Sequence, residues 1–212
     1  MRFFKKLLFI QLIILTLSCT VNAEDIFTDV SSGHWAYEHI CNVYKKGLIN
    51  GYPDKTFRPE ELVTRGEFCK ILLNSAGLDA YKMENPTGHW AYPYMTTLKD
   101  CTWSYEDWYL TDFNPDVFIN RGEAALGISE IYLGHPYCWM NPVKQYNDKA
   151  NFGGFHECIA VVSHYNLMNG YDDGCFHPEY NITRAELCAI VDRAFGNLGQ
   201  NEIYNSSQIY NR

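Results

Sequence analysis

The sequence predicts an all-α fold, a pseudo-threefold bundle of three helix-loop-helix repeats, and internal self-similarity is what predicts it. Adding 119 to a residue number (148 − 29 = 119) carries segment 29–71 onto 148–190 without a gap. Asn50, Gly51 and Tyr52 land on Asn169, Gly170 and Tyr171, while Thr64, Arg65 and Glu67 land on Thr183, Arg184 and Glu186. A weaker copy lies between: Gly88 to Tyr92 follow Gly33 to Tyr37 by 55, and Phe113, Pro115, Arg121 and Glu123 follow Phe57 to Glu67 by 56. The one-residue slip puts an insertion in its loop, where Trp108, Tyr109 and Leu110 replace the Asn-Gly-Tyr triplet.

The organisation follows in chain order. Arg2, Lys5 and Lys6 precede an apolar run from Leu7 to Leu17 and a small-x-small site at Val21-Asn22-Ala23, so residues 1–23 read as a secretory signal peptide. The run is shorter than the ~20 apolar residues of a membrane-spanning helix. Cys19 is a weak lipoprotein signal, because Thr16 stands where a larger aliphatic residue belongs. Repeats are expected over 26–78, 84–140 (degenerate) and 145–196, with a polar, poorly ordered tail over 197–212.

Within the first repeat, Ser31 or Ser32 is placed to cap a helix whose stripe is Ala36, Ile40, Val43 and Tyr44. Lys45 and Lys46 suit its negative end, and Gly47 supplies the left-handed stop. Leu48 to Tyr52, and Leu167 to Tyr171, are expected to run extended into a tight turn. Phe57 or Phe176 then returns the chain to the core. The Asp-rich turn lacks the ligand pattern of a calcium loop. The second helix opens with Thr64 and Glu67, Asn120 and Glu123, or Thr183 and Glu186, each a capping box.

Capping leaves an arginine unexplained in every copy. Arg65, Arg121 and Arg184 sit at the positive end of a helix dipole, which costs about 0.3–1 kcal/mol. Two readings stand side by side: the guanidinium, with open amides at the helix start, captures a carboxylate or phosphate from a solvent-reachable groove, or it bridges to an acidic residue of the neighbouring repeat. His34 and His89 are read as satisfying a helix start rather than holding metal, and Asp29 and Asp148 as helix-entry caps.

Removing the signal takes three of 17 basic residues and none of 25 acidic ones, so the mature charge is 14 − 25 = −11. That excludes a polyanion-coating role, and no nucleic-acid partner is expected. Of eight cysteines seven remain, and an odd number cannot all pair internally. No C-x-x-C or Cys/His cluster at zinc spacing appears, so neither metal nor cofactor is expected. If disulfides form, Cys41 with Cys69 and Cys158 with Cys188 are the natural pairs, and the alternative is small buried hydrophobes. No nucleophile elbow, metalloprotease motif or phosphate loop is present, so the chain is not read as an enzyme.

The motifs Phe27-x-Asp29-Val30, His34-Trp35-Ala36, Leu48-Ile49-Asn50-Gly51-Tyr52-x-Asp54, Thr56-Phe57-x-Pro59 and Val63-Thr64-Arg65-Gly66-Glu67, with Ile182-Thr183-Arg184-Ala185-Glu186, resemble the S-layer homology repeat. That resemblance implies a cell-surface protein, exported and held without a covalent bond on cell-wall polysaccharide, often through a pyruvate ketal, in grooves between repeats. It further implies that Arg65, Arg121 and Arg184 meet the ligand carboxylate, that Trp35 and Trp90 offer aromatic faces to sugar, and that backbone near Gly51 and Gly170 approaches the ligand closely. Trp35 and Trp90 are equally readable as core plugs. Gly154 and Phe155 replace Trp35 and Ala36 in the third copy, so one or two competent grooves are expected. The rival reading is a structural surface protein acting through a protein partner or self-association, with Trp103, Tyr105, Trp108, Tyr109, Tyr137 and Trp139 as its surface.

Overall fold

The computed structural model describes residues 26–101, 114–133 and 145–197. The signal segment, the aromatic cluster from Trp103 to Tyr109, Tyr137, Trp139 and the tail beyond Asn197 lie outside the described residues. Six α-helices form three pairs: α1 Tyr37–Lys45 with α2 Arg65–Ser75, α3 Tyr92–Cys101 with α4 Arg121–Leu133, and α5 His156–His164 with α6 Arg184–Asn197. No strand forms among the described residues, in keeping with an all-α fold. No helix among them is long and apolar enough to cross a membrane.

A cyclic set of backbone bonds defines the threefold arrangement. Val63 N–H donates to Ile182 O (3.1 Å), Ile182 N–H to Ile119 O (3.2 Å), and Ile119 N–H to Val63 O (3.0 Å). Each of these residues ends the loop before a second helix, and all three side chains are buried. The expected extended pieces at Leu48 to Tyr52 and Leu167 to Tyr171 are irregular instead; isolated bridges occur later, at Leu62 with Thr183, Thr64 with Phe118 and Asn120 with Asn181.

Helices do not pack mainly against their own repeat partners. The dominant contacts join α1 to α6, α3 to α2 and α5 to α4, so each first helix lies on the second helix of the preceding repeat. Across the α1–α6 seam, Asp192 accepts from Asn42 Nδ2 at 3.1 Å and lies 2.8 Å from His39 Nδ1. This exchange also corrects the disulfide expectation: Cys41, Cys69, Cys158 and Cys188 are all free, and the helices that carry each proposed pair pack chiefly against other repeats. Burial pushes the Cys69 and Cys188 thiols up to about 12, the behaviour of small inert hydrophobes.

The first helix starts later than its serines suggest. α1 begins at Tyr37 with no side-chain cap, and His34 Nδ1 accepts from the Ala36 amide at 3.1 Å; His89 does the same for Ala91 at 3.2 Å. Asp29 and Asp148 cap nothing. Asp29 accepts from the Phe57 and Arg58 amides, both at 2.7 Å, and Asp148 from Phe176 and His177 at 2.9 and 2.7 Å. Those bonds hold Arg58 (φ 58°) and His177 (φ 55°) in the left-handed region that side chains otherwise avoid.

Candidate functional site

The capping boxes form as predicted. Thr64 and Glu67 satisfy each other's backbone amides, as do Asn120 with Glu123 and Thr183 with Glu186. The next two amides of each helix are also taken. Arg65 and Gly66 donate to Val117 and Pro115, Arg121 and Gly122 to Tyr180 and Pro178, and Arg184 and Ala185 to Glu61 and Pro59, all between 2.8 and 2.9 Å. The helix starts therefore offer no open amides to an anion, and the part of the arginine reading that relied on them is corrected.

Each arginine instead crosses to another repeat. Arg65 Nη2 donates to Glu123 Oε1 at 2.7 Å. Arg121 donates through Nε to Phe176 O (2.9 Å) and Nη2 to Asn169 O (2.6 Å), with Nη1 3.6 Å from Glu186 Oε1. Arg184 repeats the pattern on Phe57 O (3.0 Å) and Asn50 O (2.9 Å). Arg121 and Arg184 are 5% and 7% exposed, so they are structural bridges as well as groove walls. The glutamates have a second role that capping concealed: one oxygen caps while the other faces the arginine of the preceding repeat in the cases of Glu123 and Glu186.

Two grooves lie at such seams, with Asn50 and Glu67 of one offset by 119 residues from Asn169 and Glu186 of the other (169 − 50 = 119). One, of about 340 Å³, lies between Asn50, Glu67 and Lys70 of the first repeat, Trp90 of the second and Arg184 of the third. The other, of about 250 Å³, joins Asn169, Gly170, Glu186 and Arg193 of the third repeat to Arg121 of the second and Trp35 of the first. Trp35 and Trp90 are 57% and 47% exposed, which removes the core-plug reading. Lys70 Nζ sits 5.7 Å over the Trp90 ring. Arg184 and Arg121 lie over Phe57 and Phe176, each at 4.7 Å, which fixes the guanidinium planes.

At the equivalent place in the middle repeat the set is broken. Phe155, aligned with Ala36, turns onto α4, and its ring lies 2.6 Å from where a Cβ on Gly122 would stand. Gly154 occupies the Trp position, and buried Glu130 stands where the other copies have Asn74 and Arg193. Among the described residues, no tryptophan stands at the place beside Arg65 that Trp35 and Trp90 take beside the other two arginines.

Gly51 and Gly170 are both needed for packing, and Gly170 also lines the smaller groove. A Cβ on Gly51 would strike the Phe27 ring and Thr56 O, and one on Gly170 would strike Tyr146 and Cys175 O. Sequence reasoning missed Lys70, Arg193 and the two asparagine carbonyls. The 119-residue offset could have flagged the asparagines (169 − 50 = 119), but not Lys70 or Arg193, whose counterparts are Ala189 and Asn74.

The fold and grooves define a helix-loop-helix repeat module, and comparison with known proteins identifies its repeat. The S-layer homology domain model matches residues 26–69 and 146–188. At those two segments the chain carries S-layer homology domains. It is 31% identical over 177 residues to an uncharacterized cell wall amidase of Bacillus anthracis, covering 81% of this chain and 32% of that protein. It is 24% identical over 186 residues to S-layer protein EA1 of Bacillus anthracis (84% and 21%). It is 32% identical over 115 residues to a cellulosome-anchoring protein of Acetivibrio thermocellus (49% and 25%). The chain thus spans a third or less of these relatives' length.

Proposed function

We propose that this chain is a cell-surface anchoring module that binds an anionic, pyruvylated secondary cell-wall polysaccharide in its two inter-repeat grooves, and that it is a binding protein rather than an enzyme. One observation carries the reading: an arginine, a capping glutamate, an asparagine carbonyl and an exposed tryptophan from three different parts of the chain converge twice, with the asparagine and glutamate of the two sets 119 residues apart. The tryptophan supplies a stacking face for a sugar ring, and a buried guanidinium supplies a charge-assisted donor for its carboxylate. In the larger groove Arg184 Nη1 has no hydrogen bond to a described residue, and Lys70 adds a second cation. The middle segment, 84–140, is read as a degenerate third copy whose groove does not bind. Relatives named for anchoring and for the S-layer support the location; the signal segment supports export.

A protein of mature charge −11 (14 − 25) gains nothing from long-range steering toward a polyanion, so the attraction is short-range. Purified sacculi should pull the protein down, and stripping their non-peptidoglycan polymer should abolish this. Removing the acidic substituent should likewise abolish binding, whereas raising salt from about 0.05 to 0.5 M should weaken it only several-fold. Pull-down that survives stripping would replace this reading with a protein partner. Equal affinity for the neutral glycan would remove the arginines and leave stacking on Trp35 and Trp90.

A further inference from the structure

The geometry points to a metal site on the turn of the third repeat, where Asp173, Cys175 and His177 hold a divalent cation of the zinc class with one coordination position open. Their ligand atoms, a carboxylate oxygen, Sγ and a ring nitrogen, all lie within 4.8 Å of one another. Thiolate, imidazole and carboxylate together suit zinc, and exclude calcium and magnesium, which take oxygen ligands.

The ligands are already oriented. Asp173 Oδ1 accepts from the Cys175 amide at 2.8 Å, which leaves Oδ2 facing His177 Nε2 at 2.6 Å. On the far side of the ring, His177 Nδ1 lies 3.4 Å from Glu179 Oε1. A carboxylate on one imidazole nitrogen with the other aimed at the ligand set is the support that metal-binding histidines carry. The ring is also stacked on Tyr180, centroids 4.2 Å apart and 2° from parallel, which fixes its plane.

The first repeat gives an internal contrast at the same turn. Thr56 and Arg58 stand where the third repeat has Cys175 and His177, and Arg58 Nη2 lies 3.2 Å from Asp54. There the chain brings its own cation. The third repeat keeps both acids, Asp173 for Asp54 and Glu179 for Glu60, adds Asp172, and exchanges Lys55 and Arg58 for Gly174 and His177. A bound metal restores the lost positive charge, and the Cys175 thiol releases its proton to solvent as it binds. Zinc-motif spacing misses the set because the ligands alternate, i, i+2 and i+4, and the left-handed His177 turns them to one side.

Co2+ is the probe, because a thiolate ligand gives it a near-ultraviolet charge-transfer band. The reduced full chain should take up Co2+ with such a band, and one equivalent of Zn2+ should displace it. Writing the first repeat's residues into the third, Cys175→Thr with His177→Arg, should preserve the circular dichroism and thermal transition, since that turn folds in the first repeat, while the band vanishes and zinc affinity falls at least about 100-fold. No band in the native chain, or a band that persists in the double variant, overturns the site. Sacculus binding by the double variant should stay unchanged, which separates this site from the grooves.

Discussion

Arg65 and Glu123 meet at 2.7 Å between repeats with side chains 16% and 8% exposed, so removing either partner strands a largely desolvated charge. Arg65→Ala should cost about 3 kcal/mol in urea denaturation, against the expectation that a ligand-facing arginine leaves stability unchanged. The same reasoning makes Arg184→Ala doubly informative. It should lose groove affinity and stability together, because the guanidinium ties Asn50 and Phe57 to the third repeat. Gly51→Ala should destabilise by about 1–3 kcal/mol through overpacking, since backbone Thr56 O and the Phe27 ring already occupy the place of its Cβ. An unchanged denaturation midpoint would return Gly51 to a ligand-facing role.

At the scale of the element, the turn of the first repeat is held by Asp54. Its carboxyl is lowered from 3.8 to about 2, first by the hydrogen bond from Thr56 Oγ1 (2.6 Å), then by the Thr56 amide (3.0 Å) and by Arg58. A depressed carboxyl stabilises the fold above its unfolded value, and the contribution is lost as pH falls through the folded value. The turn should therefore keep its form down to about pH 3 and loosen toward 2. Carboxyl NMR should place the Asp54 midpoint near 2, and Thr56→Ala should move it back toward 3.8. A midpoint near 3.8 in the native chain would mean that the turn is not held this way.

For the whole molecule, the ring of Val63, Ile119 and Ile182 has consequences that a row of stacked repeats would lack. The amides of α6 are capped by Pro59 and Glu61, and those of α4 by Pro178 and Tyr180, so no pair is complete without the others. Heat or denaturant should unfold the described region in one cooperative transition. A chain cut after residue 144 should lose far more helix by circular dichroism than α5 and α6 contain. Two resolved transitions, or proportional loss, would show independent repeats.

Local signals were legible in the sequence because they are local physics. A capping box needs only residues three apart, Gly47 (φ 71°) ends its helix by its own freedom, and a 119-residue offset declares the repeat. Trp35, Trp90, Arg121 and Arg184 could likewise be picked out as positions. Which repeat each one serves could not, because the exchange of helices between neighbours and the ring of backbone bonds join residues as far apart as Asn50 and Arg184. Such pairing is decided by which apolar faces pack together, not by any spacing in the chain. The tertiary structure alone therefore made the arginines bridges, packed the two glycines against Phe27 and Tyr146, laid Phe155 on Gly122 and built the two grooves described.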